Sequence, residues 1–131
     1  MALNRTARIV SRAFDETLTE AGGSLPVWLV LLNVETGQAS TQRSLADALG
    51  LREPTLSHHL AMMESDGLIT RRRDAANRRV QIVALTDEGR ARFRRLRTAA
   101  IAFDRKLRRG IDDADLELVD DLLARLTDNV S

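Results

Sequence analysis

The chain has 131 residues, 44% of them hydrophobic, a length for one domain with room for a buried core. It has no cysteine, which excludes disulfides, iron–sulfur clusters, thiolate zinc sites, and any thiol nucleophile or redox sensor. The net charge of +1 hides a sharp arrangement: five arginines crowd residues 71–79, residues 111–131 are acidic, and nineteen of the twenty basic residues are arginine, the side chain suited to phosphate and groove contacts.

Leu3, Ala7, Val10, Phe14 and Leu18 recur at helical spacing and predict an amphipathic helix over 3–20, ended by Ala21-Gly22-Gly23. Ser24 is a candidate cap for a second helix over 25–34, with Pro26 in its first turn. That segment is apolar all round and should be buried. A buried strand is the competing reading for so short a run, but the cap, the proline and the neighbouring helices favour helix. Its apolar stretch of eight residues, 25–32, is far too short for a membrane span. With no apolar signal core at the N-terminus, the expected location is the cytoplasm.

Thr41 is placed to cap a short helix in which Leu45, Ala46 and Leu49 share a face, and Gly50 suits a left-handed turn. Pro54 then opens a helix to about residue 66, closed by Gly67. Helix, tight glycine turn, helix is the helix-turn-helix spacing. Residues 68–72 and 79–85 read as two strands, joined through 73–78 as a long, loose hairpin without a short-turn signature. Thr86 caps a long helix to about 109, whose Phe93, Leu96, Ala100, Phe103 and Leu107 form a heptad seam. A last helix over 111–130 carries a second seam in Leu116, Val119, Leu123, Leu126 and Val130. Two such seams on one short domain predict a second copy to cover them.

A helix-turn-helix followed by a basic hairpin is a winged helix. The second helix fits a DNA major groove and presents its N-terminal half to base edges. The hairpin reaches the flanking backbone or minor groove. Helical geometry puts Leu56, Leu60 and Met63 on the core side of the second helix and His58 about 200° from Leu56, pointing outward with Pro54 and Ala61. Thr55 and Ser57 flank the core stripe, and His59 is half turned inward. His58 and His59 diverge by about 100° with no third ligand nearby, so no metal site is expected.

The set Leu45-Ala46, Leu49-Gly50-Leu51, Pro54-Thr55-Leu56-Ser57, Leu60, Met63-Glu64, Gly67-Leu68-Ile69, Arg71, Asn77-Arg78-Arg79 and Val83-Ala84-Leu85-Thr86-Asp87-Glu88-Gly89 resembles the MarR family of bacterial transcription regulators. The resemblance extends upstream through Arg12-Ala13-Phe14-Asp15 and Leu25-Pro26-Val27-Trp28. It implies a winged-helix homodimer on a pseudo-palindromic operator, usually a repressor released by a small ligand, often an aromatic acid or phenol. It also implies a ligand pocket for which Phe14, Trp28 and His59 are candidates by position. One departure stands out: where the family's wing reads Asp-x-Arg, this chain has Asn77 and Arg79. An amide can orient a guanidinium but supplies no charge, and Asp74 is available to replace it. Peroxide sensing through cysteine is excluded by composition.

The reading is therefore a mainly α winged helix with a small β-hairpin wing, one domain over 1–131. Residues 1–34 and 87–131 are the expected dimerisation helices, and 39–86 the DNA-binding lobe. The expected DNA contacts are Thr41, Ser44, Arg52, Pro54, Thr55, Ser57, His58 and Ala61 from the helices and Arg71, Arg73, Asn77, Arg78 and Arg79 from the wing. Expected partners are double-stranded DNA, a second copy and a small aromatic effector, with no cofactor and no membrane. The rival is a winged-helix adaptor that binds ligand or protein but not DNA. Nothing supports an enzyme: there is no phosphate loop, no nucleophile with a base partner and no special carboxylate pair.

Overall fold

In the computed structural model, which describes residues 2–131, six helices and one antiparallel hairpin follow in chain order. They are α1 (Ala2–Glu20), α2 (Leu25–Glu35), α3 (Gln42–Leu49), α4 (Glu53–Ser65), β1 (Ile69–Arg73), β2 (Gln81–Leu85), α5 (Asp87–Leu107) and α6 (Asp113–Val130). The chain divides into two compact units, Met1–Ile101 and Ala102–Ser131. No helix among the described residues is long and apolar enough to cross a membrane.

The first unit is built around α2. Ser24 caps it, accepting a hydrogen bond from the Val27 N–H at 3.4 Å, and none of residues 25–34 is exposed. Around it gather Leu18 of α1, Leu45 and Ala46 of α3, Leu56, Leu60 and Met63 of α4, and Val83 and Leu85 of β2, all buried. Trp28 stacks on Phe93 of α5, with ring centroids 5.6 Å apart and 10° between planes. The hairpin pairs Ile69 with Leu85 through to Arg73 with Gln81. It is fastened to the helix-turn-helix by a bridge between Thr41 and Ile82 and by the Val83 N–H donating to the Ser40 carbonyl at 2.8 Å.

Several boundaries move from their predicted places. Pro54 is the second residue of α4 rather than the first, with Arg52 as a cap that makes no side-chain bond. The second strand begins at Gln81, not Arg79, because Asn77 draws Arg79 into a turn. α5 stops at Leu107, before a turn closed by Gly110 at φ 76°, and α6 starts at Asp113. A larger correction concerns the first heptad seam. Phe93 and Leu96 are buried in the chain's own core, so the seam of α5 is not free along its whole length for a partner. Periodicity identifies an apolar face but not what covers it, and here Trp28 and Gly23 do so; a Cβ on Gly23 would meet the Leu96 side chain at 2.8 Å.

In the second unit, α6 has no buried residue. Leu118, Val119, Leu122, Leu123 and Leu126 stand between 40% and 55% exposed, an apolar face on an otherwise acidic helix.

Candidate nucleic-acid interface

The two helices of the motif are set by local chemistry. Thr41 Oγ1 accepts from the Ser44 N–H at 3.0 Å, and the Thr41 N–H donates to Ser44 Oγ at 3.0 Å, a reciprocal capping box at the start of α3. The left-handed turn at Gly50, φ 66°, ends α3 and lets α4 leave at once. The hydroxyls of Thr41 and Ser44, two of the four predicted to contact DNA, are thus already engaged. Thr41→Ala should lower stability by about 1 kcal/mol, read from a urea titration, since it opens the box. A loss of DNA affinity with unchanged stability would instead assign Thr41 to phosphate.

The faces of α4 follow the helical wheel. Leu56, Leu60 and Met63 are buried, while Pro54, Thr55, His58 and Ala61 are exposed. Ser57 and His59 are half-buried, and Arg52 is exposed just before the helix.

The wing is more tightly built than its polar sequence suggests. The Asp74 N–H donates to the Val80 carbonyl at 2.9 Å, and the Val80 N–H to the Asn77 carbonyl at 3.0 Å. Asp74 Oδ1 accepts from the Ala76 N–H and Asn77 Oδ1 from the Arg79 N–H, each at 3.2 Å. Short polar side chains do here the turn work that a glycine dipeptide does elsewhere, which corrects the expected loose hairpin. The expected guanidinium support for Arg79 takes another form: Asn77 holds its backbone amide, and Asp74 serves its own turn.

Two predicted wing contacts carry internal duties. Arg71 donates to Glu64 from its guanidinium at 3.3 Å and from its N–H at 3.2 Å, tying the root of the wing to α4, with its side chain 18% exposed. Arg73 Nη1 donates to the Arg78 carbonyl at 2.9 Å and braces the loop from within. Arg78 and Arg79 are exposed at the tip. Arg72, absent from the prediction, is exposed beside them; strand alternation, which puts it on the face opposite Arg71, was the available signal. A cleft of about 740 Å³ separates the wing from the two helix starts, lined among others by Thr41, Arg43, Asp47, Glu53, Asn77 and Arg79. Arg43, Asp47 and Glu53 also went unnoticed, because they become neighbours of the wing only when β2 docks on α3.

The three residues suggested for a ligand sit differently from one another. Trp28 is 8% exposed beneath Phe93, which makes it a core residue rather than an open wall. Phe14 packs half-buried against the same core. His59 lies half-buried on α4 beside His58, the rings 6.1 Å apart. Among the described residues no group of three histidines or carboxylates is placed to hold a metal.

The MarR family profile matches residues 24–80, from the cap of α2 to the end of the wing loop. The crystal structure of transcriptional regulator PA3341 is 32% identical with a TM-score of 0.82, covering 98% of this chain and 95% of that one. This chain belongs to the MarR family. It is a winged-helix, DNA-binding transcription regulator by that membership. YwoH of Bacillus subtilis, an HTH-type transcriptional regulator, is 25% identical over 88% of this chain and 83% of its own. The transcriptional repressor CouR, solved on a 23-mer DNA duplex, is 26% identical with a TM-score of 0.84, covering 96% of this chain and 89% of that one. CouR from Rhodococcus jostii RHA1 has also been solved with p-coumaroyl-CoA, at 26% identity and a TM-score of 0.80 over 95% of this chain and 88% of that one.

Proposed function

We propose that this MarR family chain acts as a cytoplasmic, homodimeric repressor that binds a pseudo-palindromic operator and is released by a small aromatic or phenolic ligand, with no catalytic activity. The observation that carries the DNA part is the exposed face of α4 beside a braced wing whose Arg72, Arg78 and Arg79 are all exposed. Residues 39–86 form the DNA-binding lobe, with Pro54, Thr55, Ser57, His58 and Ala61 at base edges and Arg52, Arg78 and Arg79 toward the backbone or minor groove. Residues 1–34 and 87–131 form the dimerisation region, supported by the exposed apolar face of α6. The ligand part is supported by likeness to CouR, which binds an aromatic acyl thioester.

Affinity for a duplex across a salt series tests this reading, because phosphate neutralisation releases counterions and gives a steep slope. Arg79→Ala should weaken binding to every sequence and reduce the slope by about one unit. Like-charge crowding at the tip is relieved only by a polyanion, and an arginine in a narrow A·T minor groove gains from its negative potential. No salt-dependent binding by the unaltered protein would favour the adaptor reading. An unchanged slope for Arg79→Ala would remove the wing from the interface.

A further inference from the structure

The arginines of the wing are not one uniform grip on phosphate, because the pleat of the hairpin sorts them onto two faces. Ile69, Arg71 and Arg73 alternate with Thr70 and Arg72 along β1, and the register sets Ile69 opposite Leu85 and Arg71 opposite Val83. Ile69, Val83 and Leu85 are buried, so Arg71 lies on the inward face, where its side chain is only 18% exposed. There it meets Glu64 of α4. One carboxylate oxygen accepts from the Arg71 N–H at 3.2 Å and the other from its guanidinium at 3.3 Å.

Glu64 gains nothing from its own helix. It is the next-to-last residue of α4, where the helix dipole disfavours a negative charge. Both of these bonds go to β1, and a carboxylate that holds backbone and side chain at once fixes a direction as well as a distance. Beyond the root the wing is stiff. Arg73 holds the Arg78 carbonyl, the Asp74 N–H donates to the Val80 carbonyl, and Asn77 holds the Arg79 N–H. A change of angle at the root is therefore carried out to the exposed Arg78 and Arg79.

We propose that Glu64 is a positioning residue for DNA binding: through Arg71 it sets the angle of the wing against α4, so that Arg78 and Arg79 reach the duplex while α4 lies in the major groove. This rests on the DNA-binding reading above.

The test measures duplex affinity across a salt series for the unaltered protein, Glu64→Ala, Arg79→Ala and the double variant, with urea unfolding of each. Removing a carboxylate from a DNA-binding surface ordinarily tightens binding, because less negative charge faces the phosphates. Here Glu64→Ala should instead bind about tenfold more weakly and lower the salt slope by about one unit. In that background Arg79→Ala should cost less than about twofold, because the wing tip has already left the duplex. Glu64→Gln keeps an acceptor oxygen and the side-chain shape, and its affinity should fall between those of Glu64→Ala and the unaltered protein. Where Glu64→Ala does not unfold cooperatively, Glu64→Gln carries the same comparison with Arg79→Ala. Tighter binding by Glu64→Ala would mean that Arg71, once released, grips phosphate itself, and would overturn the proposal. Fully additive losses in the double variant, or lowered stability with unchanged affinity and slope, would overturn it as well. No salt-dependent binding by the unaltered protein would instead overturn the DNA-binding reading itself.

Discussion

Gly89→Ala should lower stability by about 3 kcal/mol, although an alanine inside a helix normally gains about 1 kcal/mol over glycine. The sign reverses because of what lies beneath. A Cβ at position 89 would overlap the Leu68 carbonyl oxygen and stand 3.4 Å from the Leu85 side chain. That carbonyl already accepts from the Thr86 N–H at 3.0 Å, and Thr86 Oγ1 donates to the Gly67 carbonyl at 2.6 Å while capping α5 through the Gly89 N–H. The first turn of α5 is thus pressed onto the start of β1, backbone against backbone. No rotamer change relieves such a contact, so the helix must lift away from the hairpin or lose its cap. Urea denaturation checks the size of the loss. A variant as stable as the parent would mean that the two elements separate without cost.

The second large effect is expected on α6. Leu122 and Leu126 are 45% and 47% exposed, one turn apart on the apolar face, and neither is buried within its own chain. Replacing both with aspartate should leave the urea midpoint of the DNA-binding lobe nearly unchanged. It should abolish the proposed dimer, because in that assembly each charge would be buried against a second copy without a partner. Affinity for a two-half-site duplex should then fall about 100-fold, since the second half-site no longer adds to the first. Sedimentation and duplex titration measure the two consequences separately. A variant that stays dimeric with full affinity would show that α6 does not hold the assembly together.

Most of the architecture is local and was legible. Ser24, Thr41 and Thr86 cap helices because a hydroxyl beside a free backbone N–H needs only three residues of context. Gly50 and Gly67 end helices because a left-handed residue is easiest without a Cβ. The outward face of α4 follows from helical pitch alone, so the exposure of His58 and burial of Leu60 needed no tertiary information.

Where the sequence falls short, the missing information is which distant surfaces meet. The heptad seam of α5 splits between uses, with Phe93 and Leu96 covered by the chain itself and Leu107 exposed. Apolar spacing is the same in either case. Arginines that look alike in the run 71–79 divide by partner: Arg71 takes Glu64, Arg73 takes a carbonyl, and Arg79 keeps its guanidinium exposed. Those partners lie on α4 and across the loop, at distances that only strand pairing sets. The requirement for glycine at 89 and the cleft that gathers Glu53, Arg43 and Arg79 have the same origin. By itself, the sequence determined the helices, their caps and the winged-helix order, because these depend on neighbours along the chain. Only the tertiary structure decided which charges stay free for a partner, because that depends on how the hairpin docks.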